Sequence, residues 1–453
     1  MIVDHKSLLR RVLAASVLSL LVLFASLSAV GWKQSTAAGK SHSKASYPQE
    51  ISRVTFVVGG DVIPHQPVVQ AAAAQRQTEP PGNHNGWDAL FAGVADVFRQ
   101  ADFGFVNLET PVAPIHTRGS KPFQFDAPID LLLALKSSGV KIVSFANNHV
   151  FDQGFAGFDE TLDHLHEQDL LFVGAGATAE ASWQPTILDK NGIKVGWLGM
   201  TRWLNGGHNP EKDGLPHVAF FPYPSESLGA PGKDEVGVLE AIKYARAQCD
   251  LLVISIHWGL EYSETPRPED VETAHKMLEA GASAVIGHHP HVLEPIETYV
   301  TEDQRSTVIF YSLGNFLSNQ SSSFVQGLMP DKAGETRDSL IVRFAAVKKD
   351  YGPGGTRVEL GDMGIMPVWT ENNRLLYMRG KAKTLYIGPT LIDREIPRLQ
   401  ARFDELSHSV AELTAEQKQE FVQVANQLQM LKHRRELLLA RTGDDFVVAP
   451  PNP

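Results

Sequence analysis

From position 54 onward the chain repeats one alternation. Short apolar, β-branched runs at 54–59, 103–107, 142–146, 194–200, 251–257, 284–287 and 307–312 finish at or beside Gly, Asn, Asp, His or Ser. Between many of them apolar residues recur at helical spacing, at 87–100, 129–138, 155–167, 236–247 and 271–280. Short apolar runs bounded by turn residues read as buried strands, and the periodic stretches as amphipathic helices. Strand–helix alternation predicts a layered α/β fold whose ligand lies beyond the carboxyl ends of the strands. The polar residues of this chain collect at those ends.

Three stretches break the rhythm. Residues 202–234 are rich in Gly, Pro and Asn, which predicts a long lid or binding loop. After position 340, short strands and turns such as Tyr351-Gly-Pro-Gly-Gly355 give way to helical spacing carried by Phe403, Leu406, Leu413, Phe421, Val424, Leu428 and Leu431, read as an accessory tail. At the other end Lys6, Arg10 and Arg11 precede an uncharged run, 12–30, centred on Leu18, Leu20, Leu21, Val22, Leu23 and Phe24. A basic flank before an apolar run is an export signal. The run is also long enough to span a bilayer, so a cleaved signal and a retained anchor are both open. Either places the rest of the chain outside the cytoplasm. The expected division is 1–32 signal peptide or anchor, 33–50 flexible linker, 51–345 core, 346–396 accessory β segment completing the core, and 397–453 helical extension.

Composition narrows the chemistry. Lys and Arg number 41 against 52 Asp and Glu, a net charge of −11, so no basic field favours nucleic acid as a partner. Cys249 is the single cysteine, which excludes an intrachain disulfide and a multi-cysteine zinc site. It reads as an inert core residue. A metal must therefore rest on His, Asp, Glu and Asn.

Five motifs follow strand-like runs. Gly59-Gly60-Asp61 sets a carboxylate at a strand end. Asn107 and Glu109, two apart, share one side of their strand. Asn147, Asn148 and His149 close the third run, with Asp152 and Gly154 beyond. His257 ends an almost wholly apolar run, with Glu261 following. Gly287-His288-His289-Pro290-His291 packs three imidazoles into four positions, which core packing does not require. By contrast His164, His166, His275, His408 and His433 lie in helical patterns among polar neighbours and read as surface residues. Carboxylates, amides and imidazoles without sulfur make a mixed N/O donor set suited to one or two manganese, iron or zinc ions.

These motifs, with Phe310-Tyr-Ser-Leu-Gly-Asn315-Phe, resemble the CapA/PgsA-like poly-γ-glutamate capsule synthesis family over about 54–344, itself similar to calcineurin-like metallophosphoesterases. The resemblance implies a four-layer α/β/β/α sandwich. It implies Asp61, Glu109, Asn148, His257, His289 and His291 as metal ligands and His149 as proton donor. Asp152 would orient His149, and Asn107, Asn147, Glu261, His288 and Asn315 are further candidates. One departure stands out: the phosphoesterase Asp-x-His motif has Ile63 where its His belongs. His65 lies two positions too far along, and His288 or Glu261 are candidates for the vacancy. The function implied is metal-dependent hydrolysis of a phosphoester or amide in capsule or cell-envelope polymer. The competing reading is a non-catalytic export or assembly component that binds anionic polymer through the metal, within a membrane-bound synthesis complex.

Overall fold

The structure, a computed structural model, describes residues 47–76, 84–119, 121–212, 214–224, 232–408 and 413–451. The N-terminal signal or anchor reading falls outside the described residues. Among the described residues no helix is long and apolar enough to cross a membrane.

In chain order the strands are β1 (Gln49–Val62), β2 (Phe103–Leu108), β3 (Val140–Ser144), β4 (Leu171–Val173), β5 (Ala175–Gly176), β6 (Thr186–Lys190), β7 (Ile193–Thr201) and β8 (His217–Val218). There follow β9 (Leu251–His257), β10 (Ala284–His288), β11 (Ile296–Val300), β12 (Ser306–Phe310), β13 (Asn315–Leu317), β14 (Asp338–Asp350), β15 (Thr356–Asn372) and β16 (Ile387–Leu391). The first sheet runs β16-β15-β14-β1-β2-β3-β4, with β13 also paired to β1. The second runs β11-β12-β10-β9-β7-β6, and β5 and β8 form a small ladder of their own.

Side-chain alternation explains how the sheets stack. On β1, Val54, Phe56 and Val58 join the core that also holds Trp197, Leu251, Val253 and Ile286 of the second sheet. Val57 points the other way, and so does Val62 after an irregularity in the strand between Val58 and Asp61, into a core shared with helices α1 (Gln66–Gln75), α2 (Ile129–Ser137) and α3 (Gly154–Glu167). On β9, Leu252, Ile254 and Ile256 face helices α4 (Glu235–Arg246) and α5 (Pro268–Glu279). Strands buried on both faces have no polar alternation, which is why they appear as unbroken apolar runs. The helices start where local chemistry starts them. Asp234 caps α4 by accepting from the Gly237 amide, and α5 opens with Pro268, Glu269 and Asp270. The architecture is mixed α/β.

Several expectations are corrected. The helical stretch 87–100 is two short helices, Trp87–Phe91 and Ala95–Gln100. Gln49 and Glu50, read as linker, already belong to β1, and β14 runs through position 345. The tail is two helices, α6 (Ile392–Ser407) and α7 (Ala415–Thr442), the second started by a Thr414–Gln417 capping box. It is no appendage. Ile392, Leu399, Val424, Leu428, Leu431 and Leu438 complete the core between the sheets. The buried Arg434 guanidinium pairs with the buried Asp338 carboxylate at the start of β14. His164 is buried rather than at the surface, its Nδ1 2.8 Å from the Val112 carbonyl oxygen. His275 and His433 are half-buried and pair with Glu297 and Asp331.

Candidate metal centre

The parallel strands of both sheets deliver their last residues to one place. Asp61 of β1 lies in register with Asn107 of β2 and Asn315 of β13. His257, the last residue of β9, is in register with His288, the last of β10. Two glycines allow the backbones to pass this closely. A Cβ on Gly60 would lie 2.0 Å from the Gly314 carbonyl oxygen, and one on Gly287 1.9 Å from that of Tyr311. Beyond Gly287 the chain turns sharply: His289 and His291 hold φ of 96° and 60°, a region that side-chain-bearing residues seldom occupy. Such strain persists where neighbours fix it. Here Trp258 N donates to His288 O at 3.0 Å and Tyr262 N to Pro290 O at 2.8 Å.

Asp61, Asn107, Glu109, Asn148, His149, His257, His288, His289 and His291 are all buried and close together. Asn107 Nδ2 donates to Asp61 Oδ1 at 2.8 Å. His288 Nδ1 lies 3.0 Å from the same oxygen, and His291 Nδ1 3.3 Å from Asp61 Oδ2. His257 Nε2 is 3.0 Å from both Asn148 Oδ1 and His289 Nδ1. Glu109 Oε1 lies 3.9 Å from His149 Nε2 and 3.8 Å from Nε2 of both His257 and His291.

These separations test whether a cation fits. Metal–nitrogen and metal–oxygen bonds of about 2 Å place neighbouring donor atoms roughly 3 Å apart, the spacing of His257 Nε2 from Asn148 Oδ1 and from His289 Nδ1. One proton on His257 Nε2 cannot satisfy two acceptors, whereas a cation among the three would. Glu109 Oε1 is buried without a hydrogen-bond partner and stands between this trio and a second grouping, Asp61, Glu109 and His291. Glu261, at the exposed rim, forms a further grouping with His289 and His291. The donor set suits a divalent cation, with Glu109 placed to reach two positions.

Electrostatics point the same way. Burial raises the Asp61 carboxyl, but hydrogen bonds and charge from His288 and His291 outweigh it and hold its pKa well below the usual range. Glu109 is pushed well above its range by burial and by the charges of Asp61, Glu261 and Asp152. An acid kept uncharged by burial beside another carboxylate is one that a cation would ionise. Burial and neighbouring imidazoles hold His257 and His289 well below their ordinary pKa, in the neutral form that ligates metals.

With the geometry established, comparison with known proteins assigns the chain. The profile described as bacterial capsule synthesis protein PGA_cap matches residues 55–320. The chain belongs to the PGA_cap family. It is 30% identical over 320 residues to the PGA biosynthesis protein CapA of Bacillus subtilis strain 168, across 70% of this chain and 73% of that protein. It is 28% identical over 300 residues to the capsule biosynthesis protein CapA of Bacillus anthracis, across 65% and 64%. Among solved structures, a hypothetical protein of Thermus thermophilus aligns with 69% of this chain and 99% of its own at 15% identity and a TM-score of 0.37, too loose to bear on fold or function.

Within this PGA_cap chain the remaining candidates sort by contact. Asp152 Oδ2 lies 2.8 Å from His149 Nδ1. Asn147 braces the turn, donating to the Leu108 carbonyl at 2.8 Å and accepting from the His149 amide at 3.1 Å. Asn315 turns its amide nitrogen to Gln320 Oε1 and the Thr336 carbonyl. Ile63 is buried, while His288 meets Asp61 directly. His65 also lies within electrostatic reach of His149 and His291. Burial and the charges of those two rings lower its pKa to about 4, and its ring meets Phe125 at 5.1 Å. Sequence reasoning missed Asn205. Its Oδ1 accepts from Asn148 Nδ2 at 3.1 Å, and its Nδ2 sits 3.5 Å from His149 Nε2. Trp203 stacks on His289 at 5.7 Å, and Phe125 packs on His149 at 4.4 Å. Asn205 and Trp203 belong to the stretch 202–234, whose composition marked a binding loop without singling out a residue.

Proposed function

We propose that this PGA_cap chain is a divalent-metal-dependent hydrolase acting on a phosphoester or amide bond of capsule or cell-envelope polymer. The helix–sheet–sheet–helix packing is read as the metallophosphoesterase-like four-layer sandwich. Asn148, His257 and His289 would hold one cation, Asp61 and His291 a second, and Glu109 would bridge. A divalent cation in such a site makes water nucleophilic near neutral pH and neutralises a developing oxyanion. The chain's own groups supply the rest. His149 presents Nε2 to the cluster while Asp152 holds Nδ1, so a proton delivered from Nε2 to the leaving group passes through a fixed ring. Asn205 steadies both His149 and Asn148. Phe125, packed on His149, restricts water on its outer face.

The observation that carries this reading is the pairing of a buried donor trio at ligand spacing with an imidazole oriented by a carboxylate. The test is turnover of phosphoester and poly-γ-glutamate substrates by purified protein with manganese, iron or zinc and after chelation. Turnover that survives complete metal removal would sink it.

A second reading is a non-catalytic assembly component whose metal holds polymer carboxylates. It is favoured by the relatives, whose names state biosynthesis and no hydrolysis. Metal-dependent binding of poly-γ-glutamate without cleavage, in a protein that still supports capsule formation, would decide for it. The basic, apolar N-terminus supports an extracytoplasmic site. A reporter fused after Glu50 should be active in the exported compartment, and cytoplasmic activity would refute that orientation.

A further inference from the structure

The loop after β9, which carries Glu261, and the loop after β10, which carries His289 and His291, are joined by two backbone hydrogen bonds, Trp258 N to His288 O and Tyr262 N to Pro290 O. The first lies at the strand ends, and the second falls just past Glu261 and between His289 and His291. Leu260, Glu261 and Tyr262 are exposed, so the Glu261 loop has little apolar packing of its own. What holds the far ends comes from elsewhere in the chain.

Arg441, in the last turn of α7, reaches both. Its Nη2 donates to Glu264 Oε2 at 2.7 Å and to Glu335 Oε1 at 2.8 Å, and its Nη1 lies 3.5 Å from the Leu293 carbonyl oxygen. Glu264 follows Glu261 by three residues, and Leu293 follows His291 by two. One guanidinium therefore ties the two loops to each other and to the segment before β14. The planar fork of arginine can serve several acceptors at once, which a lysine point charge cannot. The helix that carries it is itself fixed. Arg434, two turns earlier, is fully buried against Asp338, and Leu431 and Leu438 sit in the core between the sheets.

We propose that Arg441 is a positioning residue of the metal centre: it locks the Glu261 loop against the His289–His291 loop and so sets the affinity for the divalent cation. The proposal rests on the metal reading above. It also gives the C-terminal helix, which lies beyond the stretch matching the family profile, a share in the site.

The test is competition for Zn²⁺ between full-length protein and a chromophoric chelator, with metal-free melting and amide exchange measured alongside. Outer partners of metal ligands typically contribute about 10–100-fold in affinity. Arg441→Ala should weaken zinc binding by that factor and speed amide exchange at 259–264 and 289–294 in the metal-free protein. Arg441→Lys should recover only part. Glu264→Gln, which loosens the same tie from the loop side, should act in the same direction and serves if Arg441→Ala does not fold. Arg402→Ala, which breaks the Arg402–Glu420 pair between α6 and α7, should leave zinc affinity at the wild-type value. Zinc affinity unchanged in folded Arg441→Ala, or in folded Glu264→Gln where that variant stands in, overturns the positioning role. Wild-type protein that binds none of zinc, manganese and iron overturns the metal reading itself; if it takes manganese or iron but not zinc, the same competition is run with that ion.

Discussion

The two sheets bring different chemistry to the same cavity. From the first come the oxygen-bearing groups and one ring: Asp61 on β1, Asn107 and Glu109 at the end of β2, and Asn148 and His149 after β3. From the second come the imidazoles of His257, His288, His289 and His291, with Glu261 at the rim. Neither sheet holds a complete donor set. The first offers Glu109, an acid whose pKa burial and the neighbouring charge of Asp61 push well above its usual range. The second offers His257 and His289, rings that burial holds neutral, with only the exposed Glu261 as an acid beside them. A cation resolves both defects only where the sheets meet, so the centre depends on the packing of the sheets as much as on any strand. On the hydrolase proposal the division also separates roles: imidazoles of the second sheet would contribute most to retaining the cation, and His149 of the first would move the proton.

The sharpest way to break that division is His289→Ala. His289 Nδ1 stands 3.0 Å from His257 Nε2, so its loss removes one of three donors from the first position. Metal affinity should fall by more than the roughly 100-fold that marks the upper range for outer partners, so metal content after dialysis, read by mass spectrometry, should be largely lost. Full retention of metal would end the assignment of retention to the second sheet. The complementary change, His149→Ala, should cost about 10²–10⁴ in turnover, the usual share of a positioned general acid, with metal content near wild type. If His149→Ala loses metal as completely as His289→Ala, the two sheets do not divide the work as described.

How much of this could be read beforehand follows from what kind of contact defines each part. Strands such as β9 and β10 are buried on both faces, so their apolar runs are visible without knowing the partner. The terminal Asp61, His257 and His288 are visible for the same reason, as polar residues that stop an apolar run. Residues defined by where two distant segments meet are another matter. Asn205 has no local pattern of its own; it becomes part of the centre because the 202–234 loop folds over Asn148 and His149. The position left by Ile63 could not be assigned from spacing. His288 meets Asp61 from the other sheet, a relation that only the packing of the two sheets creates. Helix α7 shows the same limit. Its apolar spacing was plain, but spacing alone does not tell a helix packed on a core from one that stands apart. His164 looked exposed among polar neighbours, yet the Val112 carbonyl buries it.

The second sheet's loop can be tested away from the metal. Glu294, three residues after His291, is buried with neither carboxylate oxygen hydrogen-bonded. Burial first, then the charge of Asp270, raises its pKa from 4.5 to about 8. Because the folded value exceeds the unfolded one, its contribution favours folding fully below about 4.5 and is lost as pH rises through 8. Glu294→Gln, which keeps the neutral shape, should therefore stabilise the protein increasingly across that window. The gain should reach the order of 1–3 kcal/mol by pH 8 and be near zero at pH 4. Denaturant unfolding at the two pH values measures it. A gain of equal size at both would mean that the carboxyl does not titrate in this way.

The smallest effect expected is that of Asp152→Asn, and it sharpens the first sheet's half of the comparison. Asp152 Oδ2 touches both His149 Nδ1, at 2.8 Å, and the Phe125 amide, at 2.6 Å. Both bonds end on one oxygen, so an asparagine whose amide oxygen takes that place can still accept them, and the ring and the loop carrying Phe125 should stay close to their places. What it removes is the negative charge facing a ring that must carry a proton when it acts as acid. The protonated ring is then less favoured, and the alkaline limb of the rate profile should move to lower pH. Turnover at neutral pH should fall by about tenfold, equivalent to about 1.4 kcal/mol, and recover in part on acidification. Metal content should not change, because Asp152 reaches the cation only through His149. A loss that is the same at every pH would show that Asp152 acts by holding the Phe125 loop rather than by its charge, and the proton-transfer role of the first sheet would then rest on His149 alone.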